Sequence, residues 1–176
     1  MVFQAAQQTG QTDQAVPAAI DGVEFARDGR HLSGSVEISA LSRLAGELAE
    51  TAGQLAWTIA GRLDDEGKCW LDIGVSGRLS LRCQRCLEPM IHALDVGAHL
   101  LLVRRGEPWP EDEMAEDGFD AIVAETDMAL LPLIEEEVLL ALPLAPRHEA
   151  CAAPAAAPDE CEPSPFAVLA EFKKGV

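Results

Sequence analysis

Apolar residues recur at every second position in three successive stretches of the chain. Leu55, Trp57, Ile59 and Leu63 form the first set; Cys69, Leu71, Ile73, Val75, Leu79 and Leu81 the second; Leu94, Val96, Ala98, Leu100 and Leu102 the third. A period of two places these side chains on one face of a strand and the intervening polar ones on the other. Asp64-Asp65-Glu66-Gly67 supplies a turn after the first stretch, and Cys83 to Met90 a short link after the second. Three strands with short links predict an antiparallel meander. Upstream, residues 23–26 and 32–38 read as two further short strands around a turn at Asp28-Gly29.

Two stretches carry the helical period instead. Leu41, Leu44, Ala45, Leu48 and Ala49 repeat at i, i+3, i+4, i+7 and i+8, with Ser39 as the expected cap and Gly53 past the end. Residues 128–142 predict a second helix. Leu130, Leu133, Ile134, Val138, Ala141 and Leu142 face its buried side, Glu135, Glu136 and Glu137 lie largely outside, and Pro132 falls in the first turn. The expectation is an α+β fold, an antiparallel sheet packed with two main helices. It forms a single domain over residues 20–143 between a flexible leader, 1–19, and flexible C-terminal sequence. Residues 104–120 read as an exposed acidic loop in which Trp109, between two prolines, covers the edge of the core. Residues 144–163 read as an Ala- and Pro-rich linker, and 164–176 as a short docking helix that presents Phe166 and Leu169. A helix that short is not stable alone in water.

Composition narrows the function. With 176 residues, 48% of them hydrophobic, the chain suits one globular domain. No apolar run approaches the ~18 residues of a membrane span, and no secretory signal is visible, so a cytoplasmic address is expected. Thirteen Lys and Arg against thirty Asp and Glu give a formal charge of −17. Nucleic-acid affinity rests on cations that displace counterions from phosphates, so this balance disfavours general RNA binding and favours basic proteins. Arg78 and Arg82 share a strand face and Arg85 lies in the adjoining turn, a local basic patch able to touch a partner or phosphates.

Five cysteines without an export signal point to reduced thiols or a metal site. Cys83-Gln84-Arg85-Cys86 places two thiols on one hairpin turn, half of a tetrahedral zinc site. His148 and Cys151, just past the second helix, are the favoured completing ligands for one structural Zn2+, and Cys161 is the alternative. A thiol redox protein using Cys83 and Cys86 is the competing reading. Redox pairs normally open a helix, whose N-terminus acidifies the thiol, whereas a strand follows here. Buried, chemically inert thiols are the third reading. Walker loops, nucleophile elbows and dinucleotide glycine fingerprints are absent from the sequence, and the four histidines are scattered, so no enzyme or small-molecule substrate is expected.

Three separated stretches together resemble one family. They are Arg82-Cys83-Gln84-Arg85-Cys86-Leu87-Glu88-Pro89; Ile134-Glu135-Glu136-Glu137-Val138-Leu139-Leu140-Ala141-Leu142-Pro143 followed by His148 and Cys151; and Pro163-Ser164-Pro165-Phe166-Ala167-Val168-Leu169-Ala170-Glu171-Phe172-Lys173. In order and spacing they are similar to the YceD family, the large ribosomal RNA subunit accumulation proteins. The resemblance implies a non-enzymatic accessory factor in ribosome biogenesis that supports synthesis, processing or stability of 23S ribosomal RNA. It also implies a basic large-subunit ribosomal protein, or a pre-large-subunit particle, as partner. Some relatives carry more cysteines in the second half, where this chain keeps only Cys151 and Cys161.

Overall fold

In the computed structural model, which describes residues 16–110 and 119–152, the three alternating stretches form three long strands. In chain order the elements are β1 (Ala19–Ile20), α1 (Gly22–Arg27), β2 (His31–Glu37), a 3-10 turn (Ile38–Ala40), α2 (Ser42–Glu47), β3 (Leu48–Glu50), β4 (Gln54–Leu63), β5 (Cys69–Arg82), β6 (Pro89–Arg104), β7 (Asp120–Ala124), β8 (Met128–Ala129) and α3 (Leu130–Ala141). The main sheet runs β2-β4-β5-β6-β7, and β3 pairs with β5 beyond the end of β4. β1 and β8 make a separate two-stranded ribbon.

Register follows the hydrophobic pattern. Ile73 lies opposite Ile59 on one side and Ala98 on the other, and Val75 opposite Trp57 and Val96. One residue of slip would turn the whole set toward water. Asp64 fixes the β4–β5 turn, because its carboxylate accepts the N–H groups of Glu66 and Lys68 and the indole N–H of Trp70. The helices lie on the inner face. Phe25, Ile38, Leu41, Leu44, Leu130, Ile134 and Val138 are fully enclosed there with Leu55, Ile59, Leu71, Leu79 and Leu100 from the strands. A smaller cluster forms on the opposite face, where Trp70, Leu101 and Val103 are covered by Phe119 and Ala121.

The α+β class and the antiparallel meander stand as expected; several local expectations do not. Residues 23–26 form α1 rather than a strand. Gly22, Phe25 and Ala26 are its buried residues, at the i, i+3, i+4 spacing of a helix, and Asp21 caps it by accepting the Glu24 N–H at 2.8 Å. The expected helix over 41–49 ends at Glu47, since Leu48–Glu50 is drawn into a ladder with the overhanging end of β5. Ser39 lies in the 3-10 turn and Leu41 occupies the cap position of α2 without a side-chain bond. β7 was not expected, and it pairs parallel to β6 through Leu100–Asp120 to Arg104–Ala124.

Glu135 and Glu137, expected largely outside, are 6% and 7% exposed, whereas Ala141 is exposed. Glu135 reaches across to α2. Its Oε1 accepts the backbone N–H groups of Arg43 at 2.7 Å and Leu44 at 3.1 Å, and its Oε2 accepts Nε of Arg43 at 2.9 Å. It thus serves as the missing cap of α2 from a distant part of the chain.

Candidate metal centre

The link between β5 and β6 is a tight loop closed by its own backbone. Cys83 N–H donates to the Glu88 carbonyl at 3.0 Å, and Leu87 N–H donates to the Cys83 carbonyl at 2.9 Å. Leu87 takes φ 65°, a left-handed conformation that costs a residue with a side chain about 1–2 kcal/mol. The Cys83 and Cys86 thiols lie within 4.8 Å of each other. The Arg85 N–H donates to Cys83 Sγ at 3.4 Å.

The chain after α3 folds back on this loop. Gln84 N–H donates to the Pro146 carbonyl at 2.8 Å, so part of the stretch expected as linker lies against the knuckle and delivers His148 and Cys151 to it. Cys83 Sγ is 3.7 Å from Cys151 Sγ, and Cys86 Sγ is 3.3 Å from His148 Nδ1. The four donor atoms lie within 4.8 Å of one another; Cys83 is buried and the other three half-buried.

These distances test whether an ion fits. With Zn–S near 2.3 Å and Zn–N near 2.0–2.1 Å, a tetrahedron has S···S edges of about 3.8 Å and S···N edges of about 3.6 Å. The Cys83–Cys151 and Cys86–His148 pairs match within a few tenths of an ångström, the remaining pairs lie within 4.8 Å, and three thiols with one imidazole are a donor set that zinc takes.

Electrostatics divide the thiols. Cys83 is pushed down to about 5, first by the backbone N–H of Cys86, against burial, and further by the N–H groups of His148 and Arg85. This lowering favours the thiolate, the form that ligates. For Cys86 the N–H of Glu88 pulls downward, but burial and the neighbouring Cys83 and Cys151 thiols outweigh it and raise the value. A metal ion held here would have to displace protons, which is the usual coupling of thiolate sites to pH.

The sequence-predicted quartet of Cys83, Cys86, His148 and Cys151 is therefore brought together as a possible metal-binding site. Arg78 and Arg82 are exposed, and Arg82 Nη1 donates to the Leu87 carbonyl at 3.2 Å. Arg85, grouped with them by sequence, is turned into the cluster: its Nε donates to Cys151 Sγ at 2.9 Å and its Nη2 to the His148 carbonyl at 3.0 Å. Phe166, Leu169 and Cys161 lie outside the described residues. Sequence reasoning missed the carbonyl of Pro146 and the inward turn of Arg85; a cation between two clustered thiols is the signal that pointed there.

Comparison with known proteins bears on the same residues. The profile of the large ribosomal RNA subunit accumulation protein YceD matches residues 71–173, more than half of the chain and all four donors. The chain belongs to the YceD family. The large ribosomal RNA subunit accumulation protein YceD of Haemophilus influenzae is 26% identical over 171 residues, covering 90% of this chain and 97% of that protein. No solved structure matches the chain. In this YceD-family chain, no helix among the described residues is long and apolar enough to cross a membrane.

Proposed function

We propose that this chain is a non-enzymatic accessory protein in the accumulation of large-subunit ribosomal RNA, and that its Cys83, Cys86, His148 and Cys151 hold one structural Zn2+. The observation that carries the reading is the convergence of these four donors from two separate segments, inside the matched region of a family named for that RNA. All four positions of a tetrahedral ion are filled by protein, which is the closed arrangement of structural sites rather than the open one of catalytic zinc. The ion would fasten the chain after α3 to the β5–β6 loop, and its binding free energy would add to that of folding.

The surface suits a protein partner of opposite charge. A formal charge of −17 favours a basic large-subunit ribosomal protein or an assembling large-subunit particle, reached in the cytoplasm by electrostatic steering. Arg78 and Arg82 are the candidates for local contact with ribosomal RNA. The thiol redox reading is disfavoured because Cys83 and Cys86 each have a further donor, Cys151 and His148, within 3.7 Å and 3.3 Å.

Two measurements test this. Elemental analysis of the purified chain should find about one zinc per chain, lost on substituting Cys83 or Cys151 by Ser; a chain that binds no metal and cycles Cys83 and Cys86 between thiol and disulfide would sink the metal reading. In cells, deletion should lower large-subunit RNA, and the tagged protein should co-sediment with large-subunit precursors. Unchanged RNA together with absence from every precursor fraction would overturn the functional assignment.

A further inference from the structure

Arg85 sits between the knuckle cysteines and touches both halves of the cluster. Its backbone N–H reaches Cys83 Sγ at 3.4 Å, while its side chain spans to Cys151 Sγ at 2.9 Å and to the His148 carbonyl at 3.0 Å. Arg85 as a whole is half-buried.

Charge explains why such a residue belongs here. Three thiolates and a neutral imidazole around a divalent ion carry one surplus negative charge, and Cys83, one of the three, is fully buried. An uncompensated charge in a dry site is costly. A guanidinium stays protonated at any working pH, and its planar fork can donate to two acceptors held at a fixed separation. The bond to Cys151 Sγ also lowers the energy of that sulfur's lone pairs and restricts the rotation of its side chain. Groups that orient ligands in this way typically account for about 10–100-fold of metal affinity.

We propose that Arg85 is a positioning residue of the metal centre, balancing the surplus charge of a three-thiolate divalent site and aiming Cys151 at the ion. This rests on the metal reading given above. The full-length chain, Arg85→Gln and Arg85→Lys would be loaded with Co2+ as a spectroscopic probe and with Zn2+ in competition with a chelator. Arg85→Gln should weaken Zn2+ binding about 10–100-fold. Its cobalt complex should remain tetrahedral in the visible bands, with the sulfur-to-cobalt charge-transfer band moved to longer wavelength because Cys151 has lost its donor. Arg85→Lys, which keeps the charge and loses the fork, should recover part of the affinity.

Wild-type affinity and an unmoved charge-transfer band in both variants would overturn the role of Arg85 while leaving the metal centre intact. A wild-type chain that takes up neither ion would instead overturn the metal reading, and this inference with it. Should Arg85→Gln fail to fold, Arg85→Lys decides: a moved band supports the role, and an unmoved band with wild-type affinity overturns it.

Discussion

Replacing Glu135 by Ala removes an acceptor that three donors share, and its cost can be built from them. The N–H of Leu44 is buried, so losing its partner exposes it to the full penalty of an unsatisfied donor, about 2 kcal/mol in a range of 1–3. The Arg43 N–H is part-buried and regains some water, adding about 1 kcal/mol. The side chain of Arg43 is 48% exposed and resolvates, so the lost ion pair adds less than about 1 kcal/mol. The sum is about 3–4 kcal/mol, carried mainly by the cap. Arg43→Ala leaves the cap in place and should cost about 1 kcal/mol or less, even though it also forfeits the exposed bonds to Glu136 and the Pro132 carbonyl. Urea titration reads both. With a slope of about 1–3 kcal/mol per molar, Glu135→Ala should bring the midpoint down by roughly 1–4 M and Arg43→Ala by well under half of that. Equal losses in the two variants would refute the cap and make the ion pair the dominant interaction.

Acidification should expose the same contact. Burial works against the Glu135 carboxylate, but the Arg43 guanidinium and the N–H groups of Leu44 and Arg43 outweigh it and hold its pKa below the ordinary 4.5. Its stabilisation is complete above 4.5 and is lost as the pH falls through the lower folded value, so wild-type and Glu135→Ala stabilities should converge there. Glu137 behaves oppositely: burial first, then Asp120 and Glu136, raise its pKa, so Glu137→Gln should stabilise at pH 7 and lose the gain as the pH falls to 4.5, measured as paired midpoints. Gly61→Ala would place a Cβ 2.5 Å from the Phe25 carbonyl oxygen and 2.8 Å from Ala26 Cα, both backbone, so it should destabilise at the upper end of about 1–3 kcal/mol. Gly97→Ala, with its nearest neighbour 3.9 Å away, should leave the thermal midpoint nearly unchanged and serves as the control.

The long strands were legible because one alternation over β5, broken only at Gly77, fixes both its own face and the register of two neighbours. Where signals were short, tertiary pairing decided. Val23 and Phe25 fit a period of two as well as a helix, and only Asp21 with Glu24 three residues later marks the capped turn. Leu48 continues the apolar stripe of α2, yet the open end of β5 offers it a ladder partner. β7 is five residues without clear alternation, since it borders β6 with Ala121 against the Trp70 cluster, and pattern alone does not find such a strand. In the candidate metal centre the four donors were readable as residue types at suggestive spacings. The approach of Cys151 to Cys83 and of His148 to Cys86 accompanies the bond from Gln84 N–H to the Pro146 carbonyl, a backbone contact that leaves no mark in residue type.

Cys86 and His148 are 62 positions apart, and this separation orders events during synthesis. At about 5–20 residues per second the first two donors wait roughly 3–13 s for the remaining two to be polymerised. β6, β7 and α3 are synthesised in that interval. The four-donor cluster can therefore form only late in synthesis, once the segment that follows α3 has been made.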